Sequence, residues 1–392
     1  MLAYPLTDEQ RQIQEMARDF ADREIAPIAR EVDLNDLSIP ESLIQKMAVG
    51  GFFGMLISPE YGGAGLDAVS VGLVTEQFCR ASLGLGSVIQ RNLLVGDVLE
   101  KHGTEEQKRR WLPGIASGEI QTCTSGTEPE AGSDAASLKT KAVRDGDEYV
   151  LDGAKQWSTF ADRADLLFVY VRTDQTQKHR GISLVVVEKE PGPGFVPPTL
   201  TGTHLETAGF HGLHSFSLHF DGHRVPTENL IGGVEGRGFY QLMGGYEIAR
   251  ILIGFRCVGI AQAAYDAAFR YSMEREQFGQ KIGEFQAVRF KLADMAAEIE
   301  AARALAMAVA VTYDQGGRCD TEAGMVKLFA SEMAARVTWN AMILHGGMGY
   351  ARDSDVNRYW RDSALMTIGE GTSDIQREII ARGLYRGSNS EN

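Results

Sequence analysis

The sequence predicts an α+β, mainly helical chain in which two all-helical regions flank a middle antiparallel β-barrel or sandwich domain. Three observations predict it. Helical hydrophobic spacing runs through residues 1–121, short apolar runs with Asp-Gly turns are confined to 122–235, and helical spacing returns over 236–392. Helices and strands that come in blocks, without alternating, argue against βαβ units.

In the first region, Thr7 with Gln10 reads as a capping box. Ile13, Met16, Ala17, Phe20 and Ile25 follow at helical spacing, and Pro27 is expected to close the run. The Gly-rich stretch from Tyr61 to Gly65 reads as a loop, and Thr104 to Trp111 as a capped helix with a charged face. In the middle region, Tyr149 to Leu151, Leu166 to Val171, Ile182 to Val187 and the alternation of Phe216, Leu218 and Phe220 read as strands. Asp145-Gly146, Asp152-Gly153 and Asp221-Gly222 read as turns, and Pro191 to Pro198 as a Gly/Pro-rich connection. In the last region, Phe290, Leu292, Ala293, Met295 and Ile299 share a long amphipathic stretch. Further helices are expected near 321–344 and 373–384.

Composition narrows the function. The 392-residue chain is 44% hydrophobic and 23% charged, as ordinary globular chains are, and carries a net charge of −14. That charge lacks the basic footprint of a nucleic-acid binder and is repelled by an anionic membrane surface. No apolar run approaches the ~18 residues of a membrane span, and the N-terminus lacks a secretory pattern. Four cysteines without C-x-x-C pairing or metal-ligand spacing predict no metal and no disulfide framework, and fit a cytoplasmic location.

Five constellations carry possible chemistry, each with a plainer reading beside it. Thr124-Ser-Gly126-Thr127-Glu-Pro-Glu-Ala-Gly132-Ser133 puts hydroxyls on a backbone that permits close approach, but it also fits a polar loop. Lys155-Gln-Trp157-Ser158-Thr159, just after an Asp-Gly pair, offers a ring beside hydroxyls, but it also fits a core tryptophan in a small sheet. Arg275-Glu-Gln-Phe278-Gly279 with Gln286 suits a phosphate and a purine, or a helix end. His345-Gly346-Gly347-Met-Gly-Tyr suits a phosphate or ring, or a helix C-terminus. Gly369-Glu370-Gly371-Thr372-Ser373 projects a carboxylate from a sharply bent backbone, or is a solvated acidic loop.

Together and in this order, these motifs resemble the acyl-CoA dehydrogenase family over essentially the whole chain: Thr-Glu-Pro-x-x-Gly-Ser-Asp, Trp-x-Thr, Arg-x-Gln-Phe-Gly, Gly-Gly-x-Gly-Tyr and Glu-Gly-Thr-Ser, with Arg361-Asp362 upstream of the last. The resemblance implies an N-terminal α-helical domain, a middle β domain and a C-terminal four-helix bundle, and noncovalent FAD. Thr124, Gly126, Thr127, Gly132, Ser133, Trp157, Ser158 and Thr159 would hold the isoalloxazine edge and pyrophosphate. Arg275, Phe278, Phe285, Gln286, Ile343, His345, Gly346 and Gly347 would reach the adenine half of a neighbour's FAD in a homotetramer. Thr372, Ser373 and Asp374 would help cradle the cofactor, and Ser133, Glu247, Arg250 and Gly371 would contact the CoA thioester. Glu370 would take the α-proton while a hydride leaves the β-carbon for flavin N5, giving a trans-2-enoyl-CoA. Electrons would pass to an electron-transferring flavoprotein.

One branch of the family places its base beside the arginine that matches Arg250; here that neighbour is Ala249. Gly369 stands where relatives often carry tyrosine, and Arg91 where they carry a smaller polar residue or histidine. The first suggests a roomier pocket for a branched, cyclic or aryl acyl group. The second suggests a partner for a distal carboxylate; a neighbouring side chain filling the first space, and a salt bridge or solvent for Arg91, are the plainer readings. His211 and His214 are atypical and have no account at this level. A glutaryl-CoA-like oxidative decarboxylation and, from another class, a non-catalytic acyl-CoA or flavoprotein scaffold remain alternatives.

Overall fold

The computed structural model describes residues 4–190 and 194–389. Seven helices come first: α1 (Asp8–Phe20), α2 (Ala26–Leu34), α3 (Glu41–Val49), α4 (Ala68–Ala81), α5 (Leu83–Gly86), α6 (Ile89–His102) and α7 (Glu105–Ser117). Thr7 and Thr104 head α1 and α7 with complete capping boxes through Gln10 and Gln107. Pro27 does not end the first run. A π-helical turn over Ala21–Ile25 leads into α2, and Pro27 sits in its first turn, where a missing N–H breaks no helical bond.

Strands β1 (Thr122–Ser125), β2 (Lys141–Asp145), β3 (Glu148–Thr159), β4 (Leu166–Arg172), β5 (Ile182–Glu188), β6 (Leu200–Leu205) and β7 (Ser215–Pro226) form one curled sheet. Its pairing is mainly antiparallel, but β1 and β2 both meet β4 in parallel. The unbroken apolar run of β4 follows from its position between two cores. Leu166, Phe168 and Tyr170 pack with Trp111, Leu112 and Val95 of the helices, while Leu167, Val169 and Val171 face Leu218 and Phe220.

Only one of the three Asp-Gly pairs makes a turn, Asp145-Gly146 between β2 and β3. Asp152-Gly153 is a bulge inside β3 and Asp221-Gly222 an interruption inside β7. They stack on each other, the Gly222 N–H donating to Asp152 Oδ1 at 2.8 Å. Residues 191–193 of the Pro/Gly-rich connection lie outside the described residues.

The remaining chain gives α8 (Gly238–Glu274), a two-stranded hairpin β8 (Glu276–Gln277) and β9 (Gln280–Lys281), α9 (Gln286–Asp314), α10 (Asp320–Leu344), α11 (Gly347–Tyr350), α12 (Asp355–Ile368) and α13 (Ser373–Asn389). Helices α8, α9, α10 and α12 pack as a bundle, with α13 across α10. Contrary to the expectation from apolar runs, α8 is long and apolar enough by length and composition to cross a membrane. That window is 89% buried within the protein, so α8 is its core helix. Helix α8 lies close to α4 and α10 because Gly259 and Gly254 admit them. A Cβ at Gly259 would meet Glu76 O at 2.3 Å, and one at Gly254 would meet Val326 Cγ1 at 2.3 Å.

The atypical histidines join domains. His211 Nδ1 lies 2.9 Å from Asp33 Oδ1 of α2, and Arg361 of α12 donates to the same oxygen at 3.0 Å. His214 Nε2 meets the Asp36 carbonyl at 3.1 Å, and Asp36, His204 and His214 gather within 4.8 Å. The Asp33 hydrogen bond lifts His211 to about 9 against the opposing effect of burial. Burial alone would raise Asp33, but the His211 and Arg361 hydrogen bonds outweigh it and hold the carboxyl down at about 2. The histidine's contribution to stability is full below its unfolded pKa of ~6.5 and is lost as pH rises through about 9. The aspartate's is full above ~3.9 and is lost as pH falls through about 2. Thermal midpoints are expected to fall by several degrees between pH 7 and 9.5, and His211→Gln to flatten that slope. An equally steep slope in the variant would place the titrating group elsewhere.

Candidate active site

Glu370 stands in the bend between α12 and α13, at φ +54°, followed by Gly371 at φ +91°. Left-handed backbone at a non-glycine residue costs about 1 kcal/mol or more and needs outside support. Two side-chain donors supply it through three hydrogen bonds. Lys327 Nζ of α10 bonds the Gly371 carbonyl at 2.7 Å, and Gln376 Nε2, fully buried, donates to the Glu370 and Gly371 carbonyls at 3.2 and 3.1 Å. Thr372 caps α13, its hydroxyl accepting from the Ile375 N–H at 3.3 Å. Burial brings Lys327 down to about 8. Upstream, Asp362 accepts from the Phe210 N–H at 2.6 Å, and with the Arg361–Asp33 bond it fixes the helix that delivers the bend.

The Glu370 carboxylate is turned inward. Oε1 lies 3.6 Å from Arg256 Nη1 of α8, and Oε2 is buried without a partner. Arg256 in turn lies over the Phe210 ring at 5.6 Å. Arg91, near the start of α6, has Glu370, Arg256 and Cys123 as its electrostatic neighbours. Its position is rigid. The next residue, Asn92, accepts from the Thr122 N–H at 3.1 Å and donates to the Ile115 and Ile120 carbonyls, tying α6 to β1. Arg250 lies over Tyr246 at 5.1 Å, with Asp320, Glu370 and Glu247 also around it. Glu247 itself turns to Asp320 at the start of α10; burial and that neighbour push its carboxyl up. At Gly369 an added Cβ would meet only ordinary contacts, the nearest Leu365 O at 3.6 Å. Its glycine is therefore not demanded by the backbone.

The first two motifs are brought together. The Gln156 N–H bonds the Thr127 carbonyl at 2.8 Å, and Ser125 Oγ bonds Ser158 Oγ at 2.8 Å, so 124–127 lies along 156–159. Trp157, at φ +60° and 53% exposed, presents its ring outward, with Thr124, Gly132 and Ser133 exposed and Thr159 partly so. The anchor beneath is a buried ion pair, Lys155 Nζ to Glu128 Oε1 at 2.8 Å. Glu128 also accepts from the Lys139 and Thr140 N–H groups.

The third and fourth motifs form a separate surface. Arg275 caps α8, and Phe278-Gly279, both left-handed, make the turn of the β8–β9 hairpin; Gly279 is not a helix cap. Phe278 is 95% exposed, with Phe285 edge-on at 6.1 Å. His345 stacks on Tyr271 at 4.3 Å, which sets the end of α10, with Ile343, Gly346 and Gly347, beside this hairpin; Gln286 begins α9 nearby. Asp374 is exposed and pairs with Arg377.

Arg256, Lys327 and Gln376 were missed by motif reading; Glu128 and Lys155 lie within the first two motifs, but their pairing was not foreseen. The available signal was charge out of place: Arg256 interrupts Ile251-Leu-Ile-Gly-Phe-Arg-Cys-Val258, and Lys327 interrupts Val326 and Leu328-Phe329.

Family models for the acyl-CoA dehydrogenase N-terminal, middle and C-terminal domains match residues 7–119, 123–222 and 236–385. The chain belongs to the acyl-CoA dehydrogenase family. Among its relatives is (2S)-methylsuccinyl-CoA dehydrogenase of Cereibacter sphaeroides, 42% identical over 97% of this chain and 70% of that protein. Butyryl-CoA dehydrogenase of Megasphaera elsdenii superposes with a TM-score of 0.92 at 32% identity, covering 98% of this chain and all of the other. A chain solved in work on the electron transferring flavoprotein of Acidaminococcus fermentans gives 0.93 at 38% identity, with 98% and 100% covered.

Acyl-CoA dehydrogenases are FAD-dependent oxidoreductases, and this chain is one of them. Its residues fit the cofactor. An outward indole in strained backbone stands two residues before the partly exposed Thr159, the Ser133 hydroxyl of the neighbouring loop is exposed, and Ser373 Oγ at the head of α13 is buried with no partner.

Breaking the pair beneath this face has a defined expectation. Lys155→Met leaves Glu128 buried and uncompensated, which costs about 3–5 kcal/mol, and it frees the 126–134 loop. The variant is expected to melt earlier and to lose FAD more readily on gel filtration. Wild-type melting and flavin retention would deny the anchor role.

Proposed function

We propose that this enzyme removes the α-proton of an acyl-CoA thioester with Glu370 and yields the trans-2-enoyl-CoA. The observation that carries the reading is the Glu370 carboxylate. It is held inward by a supported left-handed bend, with one oxygen free of partners. Its competitors are engaged or absent: Glu247 is tied to Asp320, and the residue beside Arg250 is Ala249. An α-C–H is a weak acid, so the thioester oxygen must be stabilised as the proton leaves. Among the described residues the Glu370 N–H has no acceptor, which leaves it free to donate there. FAD, when bound, accepts the hydride from the β-carbon. Trp157, Thr159, Ser133, Thr127 and Ser373 are the residues we assign to hold it; Arg250, Gly371 and Ser133 lie toward the thioester.

We further infer a homotetramer in which Arg275, Phe278 and the 343–347 segment reach a neighbour's FAD. Phe278 is exposed, as are Phe269 and Met273 near the end of α8, which border a cavity with Leu292 and Ala293 of α9, and exposed aromatic surface of this kind marks an interface. An electron-transferring flavoprotein is the acceptor we assign, supported by the likeness to the Acidaminococcus chain.

Glu370→Gln is expected to keep FAD and thioester binding while anaerobic flavin reduction slows by on the order of 10³-fold. Reduction at the wild-type rate would move the base elsewhere. In light scattering, the particle mass is expected at four times the 42.8 kDa chain, falling for Phe278→Asp. A monomer in the wild type would remove the shared-cofactor reading.

A further inference from the structure

The proton-abstracting site holds more positive charge than its own carboxylate neutralises. Arg91 and Arg256 enter from different helices, α6 and α8, and have each other and Glu370 as common electrostatic neighbours. The Arg256 side chain is only 4% exposed, and its Nε is buried with no hydrogen-bond partner; Arg91 Nε is in the same condition. Among the described residues neither guanidinium has another carboxylate within 4 Å, and the one contact, Arg256 to Glu370, is long at 3.6 Å. Of the other cations nearby, Lys327 bonds the Gly371 carbonyl, and Arg250, whose Nε is likewise buried without a partner, lies over the Tyr246 ring and has Asp320 and Glu247 as well as Glu370 as electrostatic neighbours. Holding two guanidiniums, Arg256 buried and Arg91 partly so, against one carboxylate is costly unless an anion completes the set. Arginine, with its fixed fork of donors, is the side chain suited to grip a carboxylate.

We propose that Arg91 and Arg256 form a clamp for a free carboxylate carried on the acyl group, so that the substrate is a short dicarboxylic acyl-CoA. The proposal rests on the acyl-CoA dehydrogenase reading above and adds its substrate class. Position follows from distance. Glu370 acts on carbon 2, and Arg256 lies 3.6 Å from the Glu370 oxygen. A carboxylate at hydrogen-bond distance of about 3 Å from that guanidinium lies within roughly 10 Å of carbon 2, a span within which the carboxylates of succinyl-type (carbon 4) and glutaryl-type (carbon 5) chains fall. Arg256 then serves twice, steadying Glu370 before binding and sharing its donors with the substrate afterwards.

The test measures binding without turnover. Holoenzyme with its flavin kept reduced by dithionite is titrated calorimetrically with succinyl-CoA against butyryl-CoA, and with glutaryl-CoA against pentanoyl-CoA. Each pair differs in having a carboxylate in place of a methyl group. The expected result is at least 30-fold tighter binding of one or both carboxylated members. That preference should fall below fivefold in Arg91→Gln and be largely retained in Arg91→Lys, which keeps the charge. Equal affinities in the wild type would overturn the clamp, and so would a preference that Arg91→Gln leaves intact. If Arg91→Gln does not fold, Arg256→Gln takes its place under the same criterion. Because flavin reduction is not read, a misassigned base would leave this result unchanged, and an enzyme that binds no acyl-CoA at all would refute the parent reading instead.

Discussion

The site depends on a lysine that ends on a carbonyl. Lys327 Nζ, brought from α10 to the Gly371 oxygen at 2.7 Å, holds a bend that the backbone of Glu370 would otherwise avoid. Gln376 adds two more bonds to the same turn. Without these anchors a glutamate between two glycines would adopt many conformations, most of them directed to water. With them the carboxylate is fixed before any ligand arrives, and fixed groups need little reorganisation when the reaction begins.

The rest of the molecule brings elements to that bend. Helix α8 supplies Tyr246, Arg250 and Arg256 over less than three turns, close to α4 and α10 because Gly259 and Gly254 admit their neighbours. Asn92 pins α6 against β1, which brings Arg91 to the opposite wall. The Asp33–His211–Arg361 junction joins α2, the sheet domain and α12, so the strand region and the base loop keep a fixed relation. The hydroxyl loop and Trp157 are set by the Glu128–Lys155 pair in the same way. In each case a contact between separate segments, glycine packing for α8 and a buried polar contact for the others, positions a residue that the local chain does not place by itself.

This division explains what could be read from the sequence. Element type was legible wherever periodicity and caps act locally, as at Thr7, Thr104 and the alternation of β7. Asp152-Gly153 and Asp221-Gly222 looked like turns because the same residues that end strands also relieve bulges; only pairing across β3 and β7 decides between them. Pro27 looked like a stop because a π turn before it cannot be seen in spacing. At the site, Glu370 was found through its flanking glycines and the motif it belongs to. Arg256, Lys327 and Gln376 carry no motif. The roles of Arg256 and Lys327 arise from contacts over 40 to more than 100 residues, and a charge within an apolar run was their only trace; Gln376 turns back on carbonyls five and six residues before it, and an uncharged amide in a helix leaves no such trace.

The central claim is that Glu370 takes the α-proton, and hydrogen exchange measures that step alone. Butyryl-CoA and succinyl-CoA would be incubated in D2O with holoenzyme whose flavin is kept reduced, so that no hydride leaves. Deuterium at carbon 2 is then followed by mass spectrometry. The account predicts incorporation by the wild type well above the rate in buffer and none above that rate in Glu370→Gln. Undiminished incorporation by the variant would contradict it.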